Sequence, residues 1–151
     1  MMNATAWIIS ITPTLTVSVG EFELVHILPD KPILHKIPKS PRYCEHIIVW
    51  ENKIIPIMDL SVRLGFTEST DLTSKNTIVG VFAYRAEDTG KPGFGAFFMN
   101  ATPRRCEVSD TQGCDLPNTF KHWKRYVSSS YKIEENGEET VIIRLNRLFL
   151  S

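Results

Sequence analysis

Cys44 and His46 stand two residues apart in "RYCEHIIVW". On a strand that spacing places both side chains on one face. An imidazole there could take a thiol proton and leave a nucleophile, which would make the chain a small hydrolase. The plainer reading is a buried thiol beside a surface imidazole. His26, His35, His46 and His122 are not spaced from one another, or from the cysteines, like a zinc-ligand set. The glycines of "GKPGFGAF" resemble a phosphate cradle only in composition. A phosphate loop follows a strand and opens a helix, whereas here Pro92 interrupts and a β-like run follows. No catalytic residue, metal or cofactor is assigned.

Arg104-Arg105 and "FKHWKRY" (120–126) are basic, the latter with interleaved aromatics. Such a run can stack on nucleobases or anchor a protein interface. It reads most simply as a solvated edge strand guarded by lysines.

The chain that must position these groups has 151 residues, enough for one domain or two very small units sharing a core. Lys+Arg and Asp+Glu both number 17. With no net charge there is no global field to draw the protein to nucleic acid or an anionic membrane. Cys44, Cys106 and Cys114 are odd in number and contain no C-x-x-C pair, which points to free thiols in a reducing compartment. The N-terminal apolar run "AWII" is too short for a signal peptide or membrane span. A cytoplasmic protein with no membrane insertion is expected.

Short apolar or alternating runs bounded by Pro and Gly dominate, and no long amphipathic helix is indicated. Strands are expected near 6–11 and 15–20, with a strand or helical turn at 22–28. Four prolines make 29–41 an extended loop. A hairpin at 47–50 and 53–58 turns on Glu51-Asn52, since Asn tolerates positive φ. Pro56 has no N–H to give a ladder, so its strand is expected at a sheet edge. Asp59 then fits a helix N-cap, with Leu60 and Leu64 on one face and Gly65 as the left-handed stop. Polar residues 67–76 read as a linker. A second hairpin is expected at 77–84 and 94–99. Residues 109–119 read as loop, and Asn136-Gly137 signals a third hairpin between 126–133 and 140–145. A faint echo links "PIMDLSVRLG" to "VIIRLNRLFL", suggesting two similar β units divided near 67–75.

The stretch 37–65, "IPKSPRYCEHIIVWENKIIPIMDLSVRLG", resembles the signature of CheW-like domains, the coupling modules of bacterial chemosensory arrays. Pro41, Ile47, Ile54, Ile55, Pro56, Ile57, Asp59, Leu60, Leu64 and Gly65 match it. "NTIVGVFAY…FGAFFMNA" resembles the family's second-barrel hairpin, with Asn100 where Asp is usual and Ala101 where Gly is usual. "ETVIIRLNRLF" resembles its closing strand. The resemblance implies an all-β fold of two five-stranded Src-homology-3-type barrels sharing an apolar seam. One domain would span 1–151, with subunits near 1–66 and 76–151 and chain ends open to exchange between barrels. It also implies a non-enzymatic adaptor. The expected partners are the regulatory domain of a CheA-type histidine kinase, a chemoreceptor, or other CheW-like proteins.

The departures fall on the family's contact positions. Glu51-Asn52 replaces the usual Arg-Gly turn, His46 replaces a Gly, and His26-Ile27-Leu28 follows Val25 where an acidic residue is usual. The acid and Arg thought to pair in typical members have no counterpart here. His46, Glu51, Asn52 and Lys53 are the expected partner-binding residues. The pattern is similar to the accessory, ChpC-like members of type IV pilus chemosensory systems, which serve twitching motility. A barrel that binds RNA or a peptide through Trp123 and its basic neighbours is the alternative, and a hydrolase using Cys44 and His46 a further one.

Overall fold

The computed structural model describes residues 3–66, 76–133 and 136–150, excepting the side chain of Leu150. The expected linker and unit boundary at 67–75 lie outside the described residues. Twelve strands and two short helices follow in order: β1 (Asn3–Thr12), β2 (Leu15–Gly20), β3 (Leu24–Ile27), β4 (His35–Lys36), β5 (His46–Trp50), β6 (Lys53–Met58), α1 (Leu60–Arg63), β7 (Ile78–Arg85), β8 (Pro92–Met99), β9 (Arg104–Ser109), β10 (Gly113–Cys114), β11 (Val127–Lys132), β12 (Glu139–Ile143) and α2 (Leu145–Leu150). The fold is all-β, in two barrel-like sheets of five strands plus a two-residue strand each.

Sheet A has the order β10-β11-β12-β2-β1-β9, and sheet B the order β4-β5-β6-β8-β7-β3. The two orders correspond strand for strand. In each, a hairpin that leads into a short helix lies parallel to a strand from the other half of the chain. β6 pairs with β8 through Ile57↔Ala96 and Met58↔Phe97. β12 pairs with β2 through Val141↔Val17 and Ile142↔Ser18. The chain therefore folds as two repeats that trade their first hairpins: β1–β2 joins the C-terminal strands, and β7–β8 joins the N-terminal ones.

This exchange overturns the edge position expected for Pro56. β6 lies inside sheet B, between β8 and β5. Trp50 and Lys53 flank a two-residue loop, so they form a hydrogen-bonded pair, and Ile48–Ile55 and His46–Ile57 follow in alternation. Pro56 faces Ile47 in a non-bonded pair, so β5 asks nothing of its nitrogen. On its other side the ladder to β8 begins only at Ile57. An interior strand holds a proline because the missing donor falls in a gap between ladders.

The expected edge strand at 120–126 is also absent. Asn118–Tyr126 forms 3-10 turns kinked at Trp123. Side chains three apart align in such turns, so Phe120, Trp123 and Tyr126 form one row. Phe120 and Tyr126 are buried and Trp123 is half-buried. Within the expected loop 109–119, Asp110–Gln112 makes a 3-10 turn and β10 a brief strand.

The largest apolar cluster is the seam between the sheets. It joins Ile9, Val17 and Val141 of sheet A to Met58, Phe82 and Phe97 of sheet B. Leu60 and Leu64 of the α1 turn and Leu145 and Leu148 of α2 plug the same cluster. Barrel B has its own interior of Ile48, Ile55, Ile57, Val79, Val81, Ala96 and Phe98. Barrel A has a smaller one of Ile8, Tyr131 and Ile133.

Candidate protein-interaction face

The β5–β6 hairpin closes on Glu51 (φ 47°) and Asn52 (φ 63°), both left-handed, as a two-residue turn between twisted strands demands. Both are exposed. Lys53 follows, and its Nζ lies 5.6 Å from the Trp50 ring and 5.3 Å from the Phe94 ring. His26 of β3 stacks on Trp50 at 6.3 Å, and Trp50 meets Phe94 at 5.5 Å. These side chains close one end of barrel B, and Lys53 serves that internal cluster with its charge toward the rings. His46 shares the inward face of β5 with buried Ile48 and is half-buried. Of the residues expected to bind a partner, Glu51 and Asn52 stand free at the tip; Lys53 and His46 are drawn toward the barrel.

At the other end of the hairpin Asp59 adopts an extended N-cap conformation (φ −90°, ψ 97°), and its Oδ1 accepts from Val62 N–H at 3.4 Å. Gly65 has φ 75°. Pro41 precedes the turn Arg42–Cys44, and the Tyr43 carbonyl accepts the Asp59 N–H at 2.8 Å. The motif residues thus fasten the hairpin base to the seam. Arg63 completes the joint. Its guanidinium lies 4.7 Å from the Tyr43 and Tyr126 rings and 5.5 Å from Trp123, and it donates to Tyr126 Oη at 2.5 Å. Trp123, the aromatic the RNA reading needed free, is engaged in this cluster.

Cys44 and His46 do not share a strand face. Cys44 lies in the 3-10 turn, and Glu45 after it is helical (φ −84°, ψ −14°), which breaks the period of two. Burial pushes the Cys44 thiol up, the reverse of what a nucleophile requires. The glycine run has a packing use: a Cβ at Gly93 would sit 2.7 Å from Tyr84 Cε2, and one at Gly95 2.7 Å from Phe149 Cδ1. No group of three or more His, Cys, Asp or Glu among the described residues could hold a metal ion.

What the outer face of β5–β6 presents is apolar. Val49 and Ile54 oppose each other across the hairpin and are 60% and 71% exposed. Ile47 and Pro56 form the next outward pair and are half-buried. The other exposed large apolar side chains, Phe22, Val25, Ile33 and Ile37, belong to the same repeat. In the corresponding hairpin β11–β12 the exposed positions are Ser128, Ser129, Lys132 and Glu139, all polar. Val49 was not singled out by sequence reasoning, and Ile54 only as part of a motif. The signal was present in "HIIVW" and "KIIPIM", where neither strand alternates: both faces are apolar, and only one can point into the barrel.

No curated protein matches the chain in sequence. Its fold is similar to the crystal structure of the scaffolding protein TtCheW from Thermoanaerobacter tengcongensis, with a TM-score of 0.77 and 21% identity over 99% of this chain and 94% of that one. No helix among the described residues is long and apolar enough to cross a membrane. The family model described as "CheW-like domain" matches residues 19–150, most of the chain, and the chain therefore belongs to the CheW-like domain family.

Proposed function

We propose that this protein is a non-enzymatic, cytoplasmic adaptor that docks the outer face of β5–β6 on the regulatory domain of a CheA-type histidine kinase. The observation that carries the reading is the Val49–Ile54 pair. Two β-branched side chains stand in solvent at the middle of a well-paired hairpin, where burial by a partner returns free energy roughly in proportion to apolar area. Glu51 and Asn52 form the rim of that contact. The chain acts as a single unit, 1–66 and 76–151 being its two repeats.

A typical receptor contact does not carry over. An Arg at the turn would attract an acidic receptor tip; Glu51 repels it, so receptor binding is weak or altered. Glu51→Arg alone does not restore it, because His26-Ile27-Leu28 supplies no acid for the new guanidinium to pair with. Divergence at these positions suits an accessory member acting with a type IV pilus chemosensory system and twitching motility.

Calorimetric titration of the regulatory domain of the kinase from the same genome tests the reading. Ile54→Glu should weaken binding by roughly 30-fold or more, the effect of losing about 2 kcal/mol at an interface centre, with an unchanged circular dichroism spectrum. Absence of heat and of co-elution at tens of micromolar with each such kinase of the organism defeats it.

A further inference from the structure

The basic run and the acidic turn of the second repeat sit at opposite ends of one hairpin. Within Asn118–Tyr126 the aromatic row is turned inward, leaving Lys121 with Lys124 and His122 with Arg125 as two outward rows three residues apart. All are exposed, and no carboxylate among the described residues pairs with them. β11 begins at the next residue and runs six residues away from this segment. At its far end Glu138 and Glu139 are exposed, and Ile133 N–H donates to the Glu138 carbonyl at 2.8 Å. Glu107 lines a cavity of about 470 Å³ together with Gln112 and Ile133 at the same end. Asp110 lies two residues before Gln112, whose Nε2 donates to the Lys132 carbonyl at 2.9 Å. Of the cations there, Arg105 is engaged by Glu21 at 2.5 Å, and Lys132 stands opposite Glu139.

The strand between the two ends is about 17 Å long at roughly 3.4 Å per residue. A hydrogen-bonded hairpin cannot fold back on itself, so the acidic end never reaches its own basic segment. Another molecule's basic segment is open to it. Equal totals of Lys+Arg and Asp+Glu remove the general repulsion that keeps copies of a charged protein apart.

We propose that the acidic end of β11–β12, through Glu138 and Glu139, docks on the Lys121/Lys124 row of a second copy. The contact is head-to-tail: each molecule offers one end and accepts at the other, so it builds rings or open strings instead of a closed two-fold dimer. It uses barrel A alone and leaves the apolar face of barrel B uncovered. A nucleic acid is disfavoured on the same segment because Phe120, Trp123 and Tyr126 are packed away from solvent and offer no stacking platform.

Exposed ion pairs are individually weak and screened by salt, which sets the test. Sedimentation of the full chain at about 0.01 M salt, where the Debye length is about 30 Å, should show a mean mass that rises with protein concentration to at least twice the monomer. At about 1 M salt, with a Debye length of about 3 Å, the mass should return to the monomer. Lys121→Glu/Lys124→Glu and Glu138→Lys/Glu139→Lys should each abolish association. An equimolar mixture of the two variants should restore it, since each carries the charge the other lost, and this recovery also shows that both are folded. A monomer at every salt concentration overturns the proposal, as does association that persists in 1 M salt, that survives both reversals, that is lost in Ile54→Glu, or that requires added nucleic acid.

Discussion

Gly95→Ala should loosen the second helix from barrel B. Gly95 lies in β8, and a methyl built there falls 2.7 Å from Phe149 Cδ1 and closer still to Cε1 and Cζ. Carbon atoms in contact sit at about 3.5–4.0 Å, so the ring must retreat by roughly 1 Å. It has little room to do so, being stacked on Phe97 at 5.2 Å and on Tyr84 at 5.5 Å with an 11° interplanar angle. Overpacking of this kind costs about 1–3 kcal/mol. For a domain of this size each kcal/mol lowers Tm by about 2–4 °C. Phe149→Ala alone should also destabilise, by less than the about 3–5 kcal/mol of a fully buried Phe, because Phe149 is only half-buried. In the double variant the methyl at 95 meets vacated space. The pair should therefore be no less stable than Phe149→Ala alone, with a coupling of about 1–3 kcal/mol in a urea-midpoint cycle. Additivity within about 0.5 kcal/mol would refute the claim that Gly95 is small because a ring lies on it.

Asp59→Ala should cost about 0.5–2 kcal/mol, the loss of an N-cap side chain, without altering a partner's affinity; coincident denaturant midpoints would remove the capping role. Burial raises the Cys44 thiol, so its alkylation should be slow at neutral pH and reach half-maximal rate above the free-thiol pKa of about 8.5; a midpoint below that value would revive the Cys-His nucleophile. Tyr131 is raised by burial foremost, and also by its contact with Cys106, while the Ser18 hydroxyl at 3.0 Å opposes the shift. Its folded form keeps a proton that the unfolded chain loses near pH 10, so stability should fall as pH rises past about 10 and be unaffected below it. Tyr131→Phe should flatten that slope, and a wild-type curve that is flat up to the alkaline limit would contradict it.

Local chemistry was legible in the sequence; partners distant along the chain were not. The turns at Glu51-Asn52 and Asn136-Gly137, and the Asp59 cap, rest on residues within a few positions of one another, and the structure contains both hairpins and the cap. The place of β6 depends on β8, some forty residues on, which lies beside it because the repeats exchange hairpins. A proline in an apolar run reads as an edge when the neighbour that ends the question comes from the other half of the chain. β9 was readable and missed: Cys106 and Val108 alternate with Arg105, Glu107 and Ser109, and both pack on the barrel A interior. The Phe120–Trp123–Tyr126 period of three was equally open to view, but lysines between aromatics were taken as a sign of a guarded edge. Of the site, the hairpin tip was foreseen by its turn residues. The apolar face was not, because a run without alternation does not say which face a barrel will use.

The exchange of hairpins explains why two outer surfaces can diverge while the interior cannot. Each repeat contributes β strands and a terminal helix to one seam, where Met58, Leu60 and Leu64 of the first meet Phe97, Leu145 and Leu148 of the second. A change there disturbs both barrels at once, since interiors packed to crystal-like density relax little. Arg63 adds a further tie, joining the end of α1 to aromatics on the 42–44 turn and the 118–126 segment. The two hairpins project from this shared base and touch it only at their roots, so their outward positions are free to change. In β5–β6 those positions hold Val49 and Ile54; in β11–β12 they hold Ser128, Ser129, Lys132 and Glu139. A duplicated frame with one apolar and one charged face offers contacts of different physics, one nearly indifferent to salt and one governed by it. An adaptor built this way can hold its partners in a fixed relative orientation, because no described strand or helix moves without breaking the seam.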